Sequence, residues 1–215
     1  MAYRRTERES ARLAARYDAI MEAARALADE GGLQAVQIAP VAERAGVAAG
    51  TVYRYFPSKE DLVTAMLNDA VEREVAAIRA AGAGAPGELS GLAAALVTFG
   101  AGAQRARRLT FAMLAEAPDG GAAGSFTFRR KIGSEFEDLI RAAIAAGYLP
   151  EQPPAAMAAA VLGAMVEGLA GPLAPAPAGP DTERAAVQGT ALFALRALGI
   201  PDARARGLVL TTGAS

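Results

Sequence analysis

The stretch Ile38-Ala39-Pro40-Val41-Ala42-Glu43-Arg44-Ala45-Gly46-Val47-Ala48-Ala49-Gly50-Thr51-Val52-Tyr53-Arg54-Tyr55 reads as two short helices joined by a tight turn. Helices that cross at roughly 90–120° through a short turn need a small side chain at their closest approach and a turn residue that tolerates positive φ. Ala42 meets the first need and Gly46 the second. Val41, Ala45, Val47, Val52 and Tyr55 then fall at the inward positions that bury one helix on the other. Ala48, Ala49, Thr51, Tyr53 and Arg54 are left on the outer face of the second helix. Small residues and Gly50 at its N-terminus let the backbone approach a nucleic-acid groove, while Thr, Tyr and Arg can donate to phosphates or base edges.

On the C-terminal side, Pro57 ends the second helix, because the residue before a proline is pushed out of the α region. Ser58-Lys59-Glu60-Asp61 opens a further helix, with Ser58 as N-cap and an acid at its third position. Lys59 in that first turn opposes the helix dipole, which suits a bound phosphate better than it suits stability. On the N-terminal side, Leu13, Tyr17, Ile20, Ala24 and Leu27 recur at helical spacing, and Gly31-Gly32 stops that helix. The first sixteen residues carry Arg4, Arg5, Arg8, Arg12 and Arg16 against Glu7 and Glu9, five positive charges to two negative. They read as a flexible basic arm able to reach an adjacent groove, although Arg12 and Arg16 also fit a solvated face paired with Glu9.

Composition narrows what the rest of the chain can do. Among 215 residues there is no Cys, His or Trp, while 56 are alanine. A disulfide framework and thiolate chemistry are therefore excluded, together with the commonest metal ligand and the commonest general base near neutral pH. No metal or cofactor is implied. Alanine is the best helix former, so the expected fold class is all-α, with about nine helices. The 22 basic and 23 acidic groups nearly cancel, and any attraction to nucleic acid has to be local. The N-terminus lacks an apolar signal-peptide core and the longest apolar run, Ala155 to Val166, is too short to span a bilayer. The expected location is the cytoplasm, with no membrane partner.

Gly82-Ala83-Gly84-Ala85-Pro86-Gly87 marks the main break in the chain. The reading divides the chain into a head at 1–57, a connecting helix at 58–82, a helical body at 83–200 and a loose tail at 201–215. Phe99, Phe111, Met113, Leu114, Phe128, Phe136 and Met165 are large apolar residues in an alanine background, suited to line an apolar cavity between helices. Glu167 interrupts an apolar stretch and is a candidate polar anchor for the same ligand. The last two long helices carry Val161, Leu162 and Leu169 on one and Leu192, Phe193 and Leu195 on the other. Such wide apolar faces are candidates for pairing with a second copy into a four-helix bundle.

The run from Val41-Ala42-Glu43-Arg44-Ala45-Gly46-Val47 through Gly50-Thr51-Val52-Tyr53-Arg54-Tyr55-Phe56-Pro57-Ser58-Lys59-Glu60-Asp61-Leu62 resembles the DNA-binding domain of the tetracycline-repressor (TetR) family of bacterial transcription regulators. The resemblance implies a three-helix head, a fourth helix leading into an effector-binding body, and a homodimer. It further implies a repressor that leaves a palindromic double-stranded DNA operator when a small, largely apolar effector binds. By that likeness Thr51, Tyr53, Tyr55 and Lys59 would contact phosphates, and Ala48, Ala49 and Arg54 would lie nearest the bases. Ala48 departs from the Ser or Thr that often caps the recognition helix, and Pro40 occupies the first turn of the helix before it. The competing readings are a structural dimerisation protein and a helical enzyme using Glu116, Glu167 or Tyr148.

Overall fold

Gly46 stands at φ +67°, and from that turn the two helices of the quoted stretch diverge as α2 (Ile38–Arg44) and α3 (Ala49–Tyr55). The computed structural model describes the backbone of residues 2–110 and 123–212 and the side chains of residues 11–110 and 128–212. Every regular element among them is helical. Two compact units emerge, residues 1–69 and 70–215.

In the first unit α1 runs Ala2–Gly31 and ends where Gly32 takes φ +74°; a 3-10 turn over Leu33–Ala35 then leads into α2. The chain passes through the Gly46 turn, where the Val47 N–H donates to Ala42 O at 2.9 Å. After α3 comes α4 (Lys59–Gly84), whose residues up to Asp69 belong to this unit. Ser58 caps α4 as its sequence suggests: the Asp61 N–H donates to Ser58 Oγ at 3.1 Å and the Ser58 hydroxyl donates to the Asp61 carboxylate at 2.7 Å. Ile20, Met21, Ala24, Val41, Val52, Phe56, Leu62 and Met66 are all buried. Each of the larger side chains contributes about 1.5–3 kcal/mol by leaving water. Arg44 clamps α2 to α1 with paired bonds to Glu30 at 2.7 and 2.9 Å.

The arm ahead of α1 differs from expectation. It is not a flexible segment: the backbone is helical from Ala2 onward, continuous with α1. Charge alternation without an apolar period hides helicity in a sequence, although Arg and Glu are themselves good helix formers.

The second unit comprises the rest of α4 with α5 (Glu88–Arg105), α6 (Ala123–Ala145), α7 (Pro154–Leu169), α8 (Pro180–Ala197) and α9 (Asp202–Thr212). A helical turn at 107–110 follows α5. Helix α5 is central. A Cβ at Gly100 would lie 2.8 Å from Val187 Cγ1, 3.1 Å from Leu169 Cδ1 and 3.1 Å from Met165 Cε, so a glycine is what lets α7 and α8 close on it. On its other side the Phe99 ring meets Phe136 of α6 edge-on at 5.7 Å between centroids. Helix α4 is tied to α6 by Lys131–Glu72 and by Arg79, which bonds Glu135 at 2.6 and 2.8 Å. Arg107 donates to the carbonyls of Gly171, Ala174 and Pro175, gathering the chain that follows α7.

Two boundaries move. Helix α4 continues through Gly84 into the glycine-rich stretch read as a break. Residues 201–215 were expected as a loose tail, yet Asp202–Thr212 form α9 with Ala205 and Val209 buried. Asp202 in its first turn favours the helix dipole and pairs with Arg196 and Arg206, while the i, i+4 spacing of Ala205 and Val209 supplies the inward stripe.

Candidate nucleic-acid interface

The outer face of α3 is built as an uncovered surface. Ala48, Ala49, Gly50, Tyr53 and Arg54 are exposed, Thr51 is half-buried at its edge, and the Tyr53 ring keeps 53% of its surface in solvent. An aromatic ring left that open has no role in the core, where Val52 next to it is fully buried. Ala48 holds the N-cap position with extended backbone and no side-chain cap, leaving the first-turn N–H groups of α3 unsatisfied by any side chain. Lys59 is half-buried in the first turn of α4. Among the described residues, neither Arg54 nor Lys59 has a hydrogen-bonded or ionic partner. Arg44, by contrast, is engaged: its bonds hold the Glu30 carboxyl below its ordinary range.

Tyr55 stands apart from this group. Its ring packs with Tyr17 and Phe56, at centroid distances of 6.1 and 6.4 Å, and its hydroxyl donates to the Leu13 carbonyl of α1 at 3.1 Å. Arg12 and Arg16 are exposed on α1, whereas the side chains of Arg4, Arg5 and Arg8 lie outside the described residues.

The ligand candidates separate into three groups. Phe99, Phe128, Phe136 and Met165 all lie in the interior of the second unit, none more than 1% exposed, with Phe99 against Phe136, and are packed core. Phe111, Met113 and Leu114 fall outside the described residues, as does Glu116. Glu167 is exposed on α7 and so is no interior anchor. Tyr148, considered for catalysis, is partly exposed with the Arg204 guanidinium 5.1 Å from its ring centroid.

The dimer candidates need correction. Val161, Leu162, Leu169 and Leu195 are at most 4% exposed within the single chain, so a second copy can remove almost no further area from water. The wide apolar faces of α7 and α8 exist because these helices close on α5. Only Leu192, half-buried, and Phe193, 59% exposed, remain available. Beside them an open groove of about 260 Å³ runs between α8 and α9, lined by Gln188, Gly189, Leu192, Arg206, Val209 and Leu210.

Two polar groups inside the second unit escaped the sequence reading. Glu74 sits on the apolar stripe of α4 between Val71 and Ile78, and its Oε1 is buried with no hydrogen-bond partner among the described residues. Its carboxylate rests against Gly102 of α5, where a Cβ would come within 2.7 Å of it. Burial raises its pKa to about 7, despite the opposing charge of Arg105. Gln104 is 7% exposed, with neither end of its amide bonded among the described residues. Both stand where helical spacing calls for an apolar residue, which is the signal that could have found them. Among the described residues no group of three acidic side chains could hold a metal ion, and no helix is long and apolar enough to cross a membrane.

A short helix presented with one exposed polar face, braced by a three-helix core and a glycine turn, defines a helix-turn-helix head. Residues 20–66, within the first unit, match the family model described as bacterial regulatory proteins, tetR family. The HTH-type transcriptional repressor KstR of Mycolicibacterium smegmatis is 54% identical over 54 residues, covering 25% of this chain and 26% of that protein. The chain thus matches about a quarter of the length of the curated relatives. Over most of the chain the likeness is one of fold. The regulator FadR from Bacillus subtilis, solved in complex with stearoyl-CoA, superposes with a TM-score of 0.69 at 17% identity, over 83% of this chain and 97% of its own. AibR, solved with isovaleryl coenzyme A and operator DNA, superposes with a TM-score of 0.65 at 18% identity, over 83% and 97%.

Proposed function

We propose that this chain is a dimeric, ligand-responsive transcription regulator, most simply a repressor, whose α3 enters the major groove of a palindromic operator. The observation that carries the proposal is the outer face of α3 and the start of α4, where exposed Tyr53 and Arg54 and half-buried Lys59 have no partner among the described residues, beside a backbone kept bare by Ala48, Ala49 and Gly50. Thr51, Tyr53 and Lys59 would hold phosphates and fix register, while Arg54 would read base edges. In a twofold dimer the two recognition helices meet half-sites about 34–36 Å apart.

The homodimer is supported by the exposed Phe193 with Leu192, beside the small exposed residues Ala159, Ala160, Gly168 and Gly189 of α7 and α8, which permit close helix approach. The effector is a small, largely apolar molecule bound by the second unit, in which Phe99, Phe128, Phe136 and Met165 are packed core rather than ligand lining. Two proteins of this fold are solved with acyl-CoA ligands, whose acyl chains are apolar although the coenzyme A they ride on is large and phosphorylated. The work assigned here is binding; no catalytic step is involved.

A mobility-shift titration with the DNA flanking the chain's own gene tests the proposal. Selective retardation of that fragment over an unrelated one of equal length is expected, with release by stearoyl-CoA or isovaleryl-CoA if either resembles the effector. Equal retardation of both fragments would leave only non-specific binding and defeat the regulator reading.

A further inference from the structure

A tyrosine hydroxyl has a single proton to give, and a phosphate ester oxygen can only accept. The Tyr55 hydroxyl gives its proton to the Leu13 carbonyl at 3.1 Å, so while that bond stands it cannot also donate to DNA. Its ring is held in place by Tyr17, which also lies 5.5 Å from Phe56, so the α3–α1 junction is an aromatic cluster with one polar bond at its rim. The partner helix is notable in its own right. Because α1 is helical from Ala2, positions 5, 8, 12 and 16 follow one another at steps of three, four and four residues and fall on one stripe of the helix. All four are arginine. Eleven rises of helix at about 1.5 Å each span roughly 16 Å, nearly five phosphates along one strand at about 3.4 Å of duplex axis each.

We infer that Tyr55 is a positioning residue that fastens the arginine-bearing helix α1 to the recognition helix, so that both reach the DNA in one register. The inference rests on the DNA-binding reading above and replaces the phosphate contact that family likeness suggests for this residue. A rigid α1 carries its arginines to the backbone at little entropic cost, whereas a loosened one would have to be ordered on each binding event. Leu13 and Tyr17, partly exposed on α1, are the contact through which the hydroxyl and ring of Tyr55 act.

The test is a double-mutant cycle on the full-length protein. Tyr55→Phe removes the hydroxyl and keeps the ring packing; the second perturbation is the combined Arg5→Ala, Arg8→Ala, Arg12→Ala and Arg16→Ala. Affinity for the fragment flanking the protein's own gene is measured at fixed salt in all four proteins. Tyr55→Phe should weaken binding about three- to tenfold with the arginines present and have no effect once they are gone. The same loss in both backgrounds would mean that the hydroxyl makes its own DNA contact, and no loss in either would mean that the bond positions nothing; each overturns the inference. A readout without DNA accompanies the cycle. Hydrogen exchange at the amides of residues 2–17 should quicken in Tyr55→Phe, and unchanged exchange there would also overturn it. If the wild-type protein retards no fragment selectively, the regulator reading fails, while the exchange comparison still decides whether Tyr55 fastens α1.

Discussion

Replacing Glu74 by glutamine should make the protein more stable at pH 8 and leave it nearly unchanged at pH 4.5. In the folded chain the Glu74 carboxyl is pushed from 4.5 to about 7 by burial, with Arg105 acting in the opposite sense. The native state therefore keeps a proton that the unfolded chain releases above pH 4.5. Stability contributed by the neutral acid is complete below that value and is lost as pH rises through 7. The difference between the two pKa values corresponds to about 3 kcal/mol between the ends of that window. Glutamine has nearly the same shape, so it can lie against Gly102 as the acid does, and it has no charge to desolvate. The assay is urea unfolding of both proteins at matched concentration across pH 4.5, 6, 7 and 8, which holds any dimer contribution constant. Because the chain has no histidine, few other groups titrate in this window, and the subtraction isolates Glu74. A difference that stays constant with pH, or a glutamine variant that is less stable at pH 8, would refute the reasoning.

Further expectations follow from the packing and the surface. Gly100→Ala should lower stability by about 1–3 kcal/mol in the same denaturation assay, because its methyl would sit 2.8 Å from Val187 Cγ1. Ala48→Ser should raise thermal stability by about 1 kcal/mol, since α3 lacks a side-chain cap there. Gly46→Ala should cost about 1–2 kcal/mol, because the turn holds φ at +67°. Phe193→Asp should shift the protein towards monomer in sedimentation velocity, whereas Leu195→Ala should lower the unfolding midpoint, since Leu195 is buried within the chain.

The head was legible because each residue in it has a local consequence. Gly46 specifies a turn, Pro57 ends a helix, Ser58 with Asp61 starts one, and a solvent-facing Tyr53 beside a buried Val52 marks which side is free. These effects act within a few residues and survive translation into three dimensions. The body was legible in fold class but not in its contacts. An apolar stripe states that something must cover it, not what does. Val161, Leu162, Leu169 and Leu195 could have faced a second copy, and it is the Gly100 notch on α5 that turns α7 and α8 inward instead. Phe99, Phe128, Phe136 and Met165 are as apolar in a packed core as around a ligand, and only their near-zero exposure separates the two. Glu74 and Gln104 carried a readable signal, polar residues on apolar stripes, but an exposed helix end would produce the same pattern. The bond from Tyr55 to Leu13 joins residues 42 positions apart in the chain, and no periodicity reports such a contact.

The central claim is that the open face formed by α3 and the start of α4 is a DNA-contact surface. The measurement that bears on it most directly is the salt dependence of affinity for the fragment flanking the chain's own gene, compared among wild type, Lys59→Ala and Arg54→Ala. If Lys59 holds a phosphate, its loss should weaken all sequences alike and flatten the log–log salt slope by about 0.9, while Arg54→Ala should also erode the preference for that fragment over unrelated DNA. Unchanged affinity, slope and preference in both variants would contradict the account.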